Sequence, residues 1–110
     1  MYIGETPSII FEIPVEWNID LNDAEEIIIK YSNNNAVIKE HKLSDSAPDK
    51  VIIDNPLIVH ANMQKAESDL LKQGQLLIQL EVKMPADEYP QWPSGFFVMG
   101  QGVEPVLKRI

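Results

Sequence analysis

The chain contains no cysteine. Disulfide scaffolds, thiolate zinc sites and cysteine nucleophiles are therefore excluded, and the absence fits a reducing compartment. Apolar runs are short, and none approaches the ~20 residues that a membrane-spanning helix needs. The start of the chain has no basic region followed by an apolar stretch. We therefore expect a soluble protein with no signal peptide and no membrane partner.

Positive charge is also scarce, because 9 Lys and Arg residues stand against 17 Asp and Glu residues, a net charge of −8. The first 29 residues hold no Lys or Arg but seven acids, namely Glu5, Glu12, Glu16, Asp20, Asp23, Glu25 and Glu26. Such a field repels phosphate backbones, so we expect no nucleic-acid partner. The acids are expected to form a solvated surface, and head-to-tail packing against the basic end at Lys108 and Arg109 is the alternative.

Catalytic patterns are missing as well. The chain has neither a Gly-x-Ser-x-Gly elbow nor a glycine-rich phosphate loop before a helix. Its carboxylate pairs, Glu25-Glu26 and Asp87-Glu88, are adjacent residues. Adjacent side chains on a strand point to opposite faces, and adjacency alone does not bring two carboxylates together on one substrate. We expect a protein that is not an enzyme and has no catalytic residues.

The two histidines are His41 and His60. Zinc sites usually need three or four ligands, and two histidines nineteen residues apart in a chain without cysteine match no zinc-site template. Structural or surface roles are therefore expected for both, with no metal and no cofactor.

Short β-patterns bounded by turn residues fill most of the chain. Strands are predicted at residues 8–13, 25–31, 36–43, 51–53, 57–59, 75–83, 94–99 and 103–107. The run Ile27-Ile28-Ile29 suits a central strand, and Asn33-Asn34 predicts a hairpin turn. Gly100-Gln101-Gly102 is expected to break the last two strands apart, and Pro105 favours an edge position.

One helix is predicted, around residues 62–73. Asn62 would cap it and Gly74 would end it. The spacing places four apolar residues on one face of this helix, namely Met63, Ala66, Leu70 and Leu71.

Seven or eight short strands with one short helix predict a mainly β fold, a two-sheet antiparallel sandwich. A single sheet packed against the helix is the alternative. The length of 110 residues fits one domain, residues 1–110.

Three prolines in residues 85–93 predict a surface loop. The loop carries Tyr89 and Trp92, and large aromatics on exposed loops often anchor a partner. We therefore consider Tyr89 and Trp92 as interaction anchors. The alternative is that Trp92 folds back over one end of the core.

Several motifs together resemble a family of phage and prophage tail-module proteins, similar to the N-terminal domain of siphophage baseplate upper proteins. The matching features are the Gly4-Glu5-Thr6-Pro7 opening with Ile9, Phe11 and Ile13, then Asp23-Ala24 before Glu25-Ile27-Ile29, the turn from Asn62 to Gly74, the strand Leu76-x-Ile78-Gln79-Leu80-x-Val82, and the closing Val103-Glu104-Pro105-Val106-Leu107-Lys108. The chain departs from the family in its proline-rich loop and in Met63 and Lys65 of the helix.

This resemblance implies an immunoglobulin-like β-sandwich that acts as a structural part of a phage and carries no catalytic residues. Its partners would be other phage structural proteins and a second copy of itself, in the virion or in the host cytoplasm during assembly. Two other functions stay open. One is a carbohydrate- or host-surface-binding module, and the other is a phage-encoded inhibitor whose acidic face mimics nucleic acid.

Overall fold

The computed structural model describes residues 1–108, which form two antiparallel sheets packed face to face. The strands are β1 (Ser8–Glu12), β2 (Glu26–Asn33), β3 (Ala36–Lys42), β4 (Ile52–Asn55), β5 (Ile58–Asn62), β6 (Gly74–Lys83) and β7 (Phe96–Val106), with one short helix, α1 (Lys65–Ser68), between β5 and β6. The predicted sandwich of about seven strands is confirmed, and the single-sheet alternative is wrong.

The sheet orders are β1-β5-β4 and β3-β2-β6-β7. Immunoglobulin domains place strands A, B, E and D in one sheet and C, F and G in the other, with C′ added beside C in the variable type. The present orders correspond to B-E-D and C′-C-F-G, so the fold is an immunoglobulin-like sandwich. Within residues 1–108 no strand occupies the A position beside β1.

The first three residues pair with the end of the chain instead. Tyr2 forms a parallel bridge with Leu107, and the amino group of Met1 donates to the Pro105 carbonyl oxygen at 2.8 Å. A turn at Gly4, whose φ is +94°, then redirects the chain into β1. The strand predicted at residues 8–13 is confirmed, since β1 spans Ser8–Glu12.

The core lies between the sheets and follows the predicted alternation. In β6, Leu76, Ile78, Leu80 and Val82 are buried while the intervening residues are half-buried. In β1, Ile9 is buried and Phe11 packs against the core from the same face. The run from Ile27 to Ile29 is buried in the central strand β2, as predicted.

The β2–β3 hairpin turns at Asn34 and Asn35, one residue later than predicted. Both residues have positive φ, 51° and 69°, as a two-residue primed turn requires. Asn33 lies inside β2 and is buried. Its side-chain amide donates to the carbonyl oxygens of Lys72 and Gln75, both at 3.0 Å, and so fixes the approach to β6.

The predicted break at Gly100-Gln101-Gly102 is wrong, because β7 runs unbroken for 11 residues beside β6. The register shifts once: Leu80 faces Gly100 whereas Glu81 faces Val98, so Met99 is an extra residue. Glycines are often found at a bulge of this kind, where the strand bends but does not end. The prediction that Pro105 lies on an edge strand is confirmed.

The predicted helix over 62–73 shrinks to Lys65–Ser68. Gln64, not Asn62, is the N-cap residue, because Asn62 ends β5, and Gly74 opens β6 rather than closing the helix. Met63 and Leu71 are buried as expected, but Ala66 and Leu70 face solvent. With only one helical turn, the four apolar residues cannot share a face.

Candidate functional site

The outer edge of β7 is the most open part of the sandwich. β7 pairs with β6 on one side, and no strand of the described residues pairs with its other side. On β7, Phe96, Val98 and Val103 expose 48%, 50% and 59% of their surface. Long edge strands with exposed apolar side chains are pairing sites for other chains.

The hydrogen bonds identify which backbone groups of β7 point away from β6. The Pro105 carbonyl oxygen accepts from Met1, and both the N–H and the carbonyl of Leu107 bond to the N-terminal segment. Because alternate residues of an antiparallel strand point their backbone groups to the same side, Val103 and Gln101 direct theirs to the open edge. The N-terminal segment covers the end of this edge only, at residues 105–107.

A groove of about 510 Å³ separates this edge from β1. Its walls are Ser8, Ile9, Ile10 and Phe11 on β1, Ile78 on β6, and Gln101, Gly102, Val103 and Glu104 on β7. The groove therefore lies where the two sheets come apart at their edges, and buried core residues such as Ile9 and Ile78 form its floor.

Two glycines of β7 show how far the groove extends. A Cβ atom on Gly100 would lie 3.1 Å from Cδ1 of Phe11, so the two sheet edges touch there. A Cβ on Gly102 would meet no atom within 4 Å, so the space beside Gly102 is open. The groove thus begins just beyond the contact between Gly100 and Phe11.

Neither wall of the groove contains a Lys or Arg side chain. Residues 1–29 and 84–107 contain no Lys or Arg, and β1 and β7 lie within these two segments. Among residues 1–108, no basic side chain pairs with Glu104, which is exposed at the groove. The groove therefore combines apolar walls with a carboxylate that pairs with no Lys or Arg side chain of residues 1–108, although the Met1 amino group binds the carbonyl oxygen of the next residue, Pro105.

A second groove of about 590 Å³ lies on the outer face of the larger sheet, near the β2–β3 turn. Side-chain amides of Asn34, Asn35 and Gln75 line much of it, together with Leu77 and Val103. Val103 borders both grooves, which places it at the centre of the open surface.

The proposed anchor Tyr89 is tied to the body of the protein. Its hydroxyl donates to the Asp23 carboxylate at 2.6 Å and accepts from the Asp20 N–H at 3.3 Å. The hydrogen bond to Asp23, with a smaller contribution from burial, raises the pKa of Tyr89. The hydroxyl is thus already engaged within the chain.

The proposed anchor Trp92 is half-buried in an aromatic cluster. Its ring stacks on Phe97 with centroids 5.1 Å apart and packs against Trp17 at 5.4 Å. Its Nε1 is buried and has no hydrogen-bond partner among the described residues. These contacts favour the alternative in which Trp92 covers one end of the core, and they leave its role as an anchor a prediction.

A buried polar cluster joins β2, β3 and α1. The Tyr31 hydroxyl donates to Glu67 Oε2 at 2.6 Å and lies 2.5 Å from His41 Nε2. His41 Nε2 is 2.9 Å from Glu67 Oε1, and His41 Nδ1 donates to the Asp49 carbonyl oxygen at 2.7 Å. Tyr31 and His41 are fully buried and Glu67 nearly so.

Hydrogen bonds allow this cluster to be buried. The Asp49 carbonyl oxygen can only accept, so His41 Nδ1 is the donor to it. The Tyr31 hydroxyl and the Glu67 carboxylate are also in hydrogen-bond contact within the cluster, so none of the three side chains is buried without a polar partner.

The carboxylate of Asp49 approaches this cluster, so that three potential metal ligands, His41, Asp49 and Glu67, place ligand atoms within 4.8 Å of one another. Direct hydrogen bonds between these groups and Tyr31 already satisfy the ring nitrogens and Glu67. Neither of the two grooves reaches Tyr31, His41 or Glu67. We therefore assign the cluster to stability, and sequence reasoning missed it.

Burial, and then the hydrogen bond to Glu67, raises the pKa of Tyr31 above its usual value. A raised folded-state pKa contributes stability that is present below the unfolded-state pKa of about 10 and is lost as the pH rises above it. We expect the free energy of unfolding to fall by about 1.4 kcal/mol per pH unit above pH ~10 from this group.

Urea unfolding of the wild type and of Tyr31→Phe between pH 8 and pH 11 measures this effect. The variant lacks the hydroxyl and is less stable at pH 8, and the two stability curves should converge as the pH rises. If the difference in free energy of unfolding between the two proteins stays constant over this range, the folded state does not hold the proton on the Tyr31 hydroxyl, and the assignment is contradicted.

Several of the acidic N-terminal residues make hydrogen bonds or an ion pair. Asp20 accepts from the Asn22 N–H at 2.9 Å, and Glu25 pairs with Lys83 at 3.5 Å. Burial alone would raise the pKa of Glu26, but hydrogen bonds from the Ser44 hydroxyl and from backbone N–H groups outweigh it and lower that pKa. His60, the other histidine, pairs with Asp54 at 2.7 Å near the surface.

Comparison with known proteins adds no relative: no protein-family model matches the chain, and no curated protein matches it. None of the helices in residues 1–108 has the length and apolar character needed to cross a membrane.

Proposed function

We propose that this chain is a non-enzymatic structural module that works through protein–protein contacts in the tail or baseplate of a phage or prophage. Its partners are other structural proteins of the particle, and it resides in the virion or, during assembly, in the host cytoplasm. The observation that carries the proposal is the open edge of β7, where Phe96, Val98 and Val103 are about half exposed.

The position of these side chains favours association. They lie on the outer face of a sheet that also carries the half-buried Lys30–Glu81 ion pair and the Gln79–Gln101 contact. An edge strand that avoids pairing usually carries Lys or a bulge along its length, whereas β7 contains neither Lys nor Arg and has its one bulge at Met99. Burial of such a strand in an assembly would remove its apolar surface from water.

The tail-module part of the proposal rests on the resemblance of the Gly4-Glu5-Thr6-Pro7 opening and of the Leu76-to-Val82 strand to the phage family. In this fold the first feature directs the chain from the edge of β7 into β1, and the second is the central strand β6.

Mass spectrometry of purified phage particles from the source strain tests this function. We expect the protein in intact particles, in a fixed ratio to a tail or baseplate protein, and cross-linked to that protein when particles are treated with a short amine-reactive reagent. Its absence from particles, together with a strictly monomeric protein that binds no particle component, would contradict the proposal.

A further inference from the structure

We propose that the groove between β1 and β7 receives an extended segment of a partner protein that carries Lys or Arg and pairs with the open edge of β7. This inference deepens the proposed function, on which it rests, by naming the surface and the chemistry of the partner. It draws on the topology, the backbone geometry and the charge of the groove.

The topology leaves room for one more strand. In the immunoglobulin arrangement strand A lies beside the strand that corresponds to β1, and residues 1–108 supply no strand there. Only Met1 to Ile3 reach toward this region, and they pair with residues 105–107. The position between β1 and β7 is the space that an added strand would fill, as in donor-strand complementation.

The backbone offers hydrogen bonds to such a strand. Gln101 and Val103 point their N–H and carbonyl groups to the open edge, while Gly100 and Gly102 bond toward β6. The lack of a side chain at Gly102 keeps the space beside the edge clear. Alternate side chains of the added strand would contact Ile9 and Ile78 on the floor of the groove.

The charge of the groove favours a partner segment that carries Lys or Arg. The two walls come from segments without Lys or Arg, and Glu104 at the groove has no basic partner among the described residues. A second copy would bring another acidic surface into contact, since each chain carries a net charge of −8. An extended segment with Lys or Arg opposite Glu104 instead gains from charge complementarity.

A display library of random 12-residue peptides, selected on the immobilised full chain, provides the probe. We expect the enriched peptides to alternate apolar β-branched or aromatic residues with polar ones and to be richer in Lys and Arg than the unselected library. The best peptide, labelled and measured by fluorescence anisotropy, then reports affinity for each variant.

Three substitutions test the groove. Gln101→Pro removes an outward N–H and Gly102→Val fills the open space, and each should weaken the peptide about tenfold or more. Glu104→Lys should weaken it about fivefold and reduce its salt dependence. Glu40→Lys, a matched charge reversal on β3 at the opposite edge of the same sheet, should leave the affinity within about twofold.

The folded state of each variant is verified by circular dichroism and urea unfolding, and Gly102→Val keeps the test valid if Gln101→Pro fails to fold. Three results would overturn the inference: no enriched peptide, equal affinity of the wild type and of folded Gly102→Val and Glu104→Lys, or a wild-type dimer that Gly102→Val dissociates, since the occupant would then be a second copy.

The two proposals can fail separately. If particles contain the protein but the groove variants bind the peptide and assemble normally, the proposed structural function stands and the proposal that the groove binds a partner segment is wrong. If the groove binds basic peptides but particles lack the protein, the groove stands and the phage function is wrong.

Discussion

Replacement of His41 by alanine is expected to lower the free energy of unfolding by about 3–5 kcal/mol. The substitution leaves the buried Glu67 carboxylate without its imidazole partner and the partly buried Asp49 carbonyl oxygen without a donor. It also opens a cavity between β3 and α1. For a domain of this size such a loss is a large part of the total stability.

His60→Ala is the matched control, because His60 also uses Nδ1 to contact an acceptor but remains partly exposed with Asp54. We expect it to cost less than about 1 kcal/mol. Urea unfolding at pH 7 compares the two. Coupling in the cluster also predicts that the double variant His41→Ala/Glu67→Ala costs about 0.5–3 kcal/mol less than the sum of the two single variants. Equal effects of the two histidine substitutions would contradict the structural role given to His41.

Leu71→Ala is expected to lower the free energy of unfolding by about 2–4 kcal/mol, whereas Leu70→Ala should change it by less than about 0.5 kcal/mol. The two leucines are neighbours in the chain, yet Leu71 is 4% exposed and Leu70 is 62% exposed. Only Leu71 leaves a cavity when it is shortened.

This pair distinguishes the short helix from the longer one that the apolar spacing predicts. A helix over 62–73 would bury both leucines, and both substitutions would then be costly. Chemical denaturation of the two variants under one set of conditions is sufficient, since they remove the same atoms from the same residue type. A large cost for Leu70→Ala would show that α1 extends beyond Ser68.

Strand positions could be predicted because their physical signal is local. Alternation along residues 76–82 follows from the two-residue period of a strand, and a continuous apolar run at Ile27 to Ile29 indicates burial on both faces. The asparagine turn is equally local, since it depends only on residues that tolerate positive φ. The immunoglobulin-like arrangement came from resemblance, and the pairing order that supports it arises from contacts between distant segments.

Two bulges explain why the buried position of His41 and the unbroken strand β7 could not be predicted. Simple alternation along β3 from the exposed Val37 would also turn His41 outward, but the register shift after Val37 brings His41 opposite Ile29, on the core side. The bulge at Met99 similarly allows β7 to continue past Gly100 and Gly102. A bulge adds one residue without a distinctive sequence, so the buried cluster and the unbroken edge strand became visible only in three dimensions.

The candidate site was missed because it depends on the order of the strands in the two sheets, which distant segments determine. Sequence reasoning selected Tyr89 and Trp92 because loop aromatics often bind partners, but the structure packs them against Asp23, Trp17 and Phe97. The groove instead depends on which two strands become sheet edges. The scarcity of Lys and Arg in residues 1–29 and 84–107 was the one sequence signal that pointed toward it.

The central claim is that the open edge of β7 receives a strand, and amide hydrogen exchange tests it most directly. In the free protein the amides of Gln101 and Val103 should exchange much faster than those of Gly100 and Gly102, which bond toward β6. Saturation with the selected basic peptide should then slow exchange at Gln101 and Val103 and change the two glycines little. Equal protection of all four amides in the free protein, or unchanged exchange at Gln101 and Val103 with the peptide bound, would contradict the account.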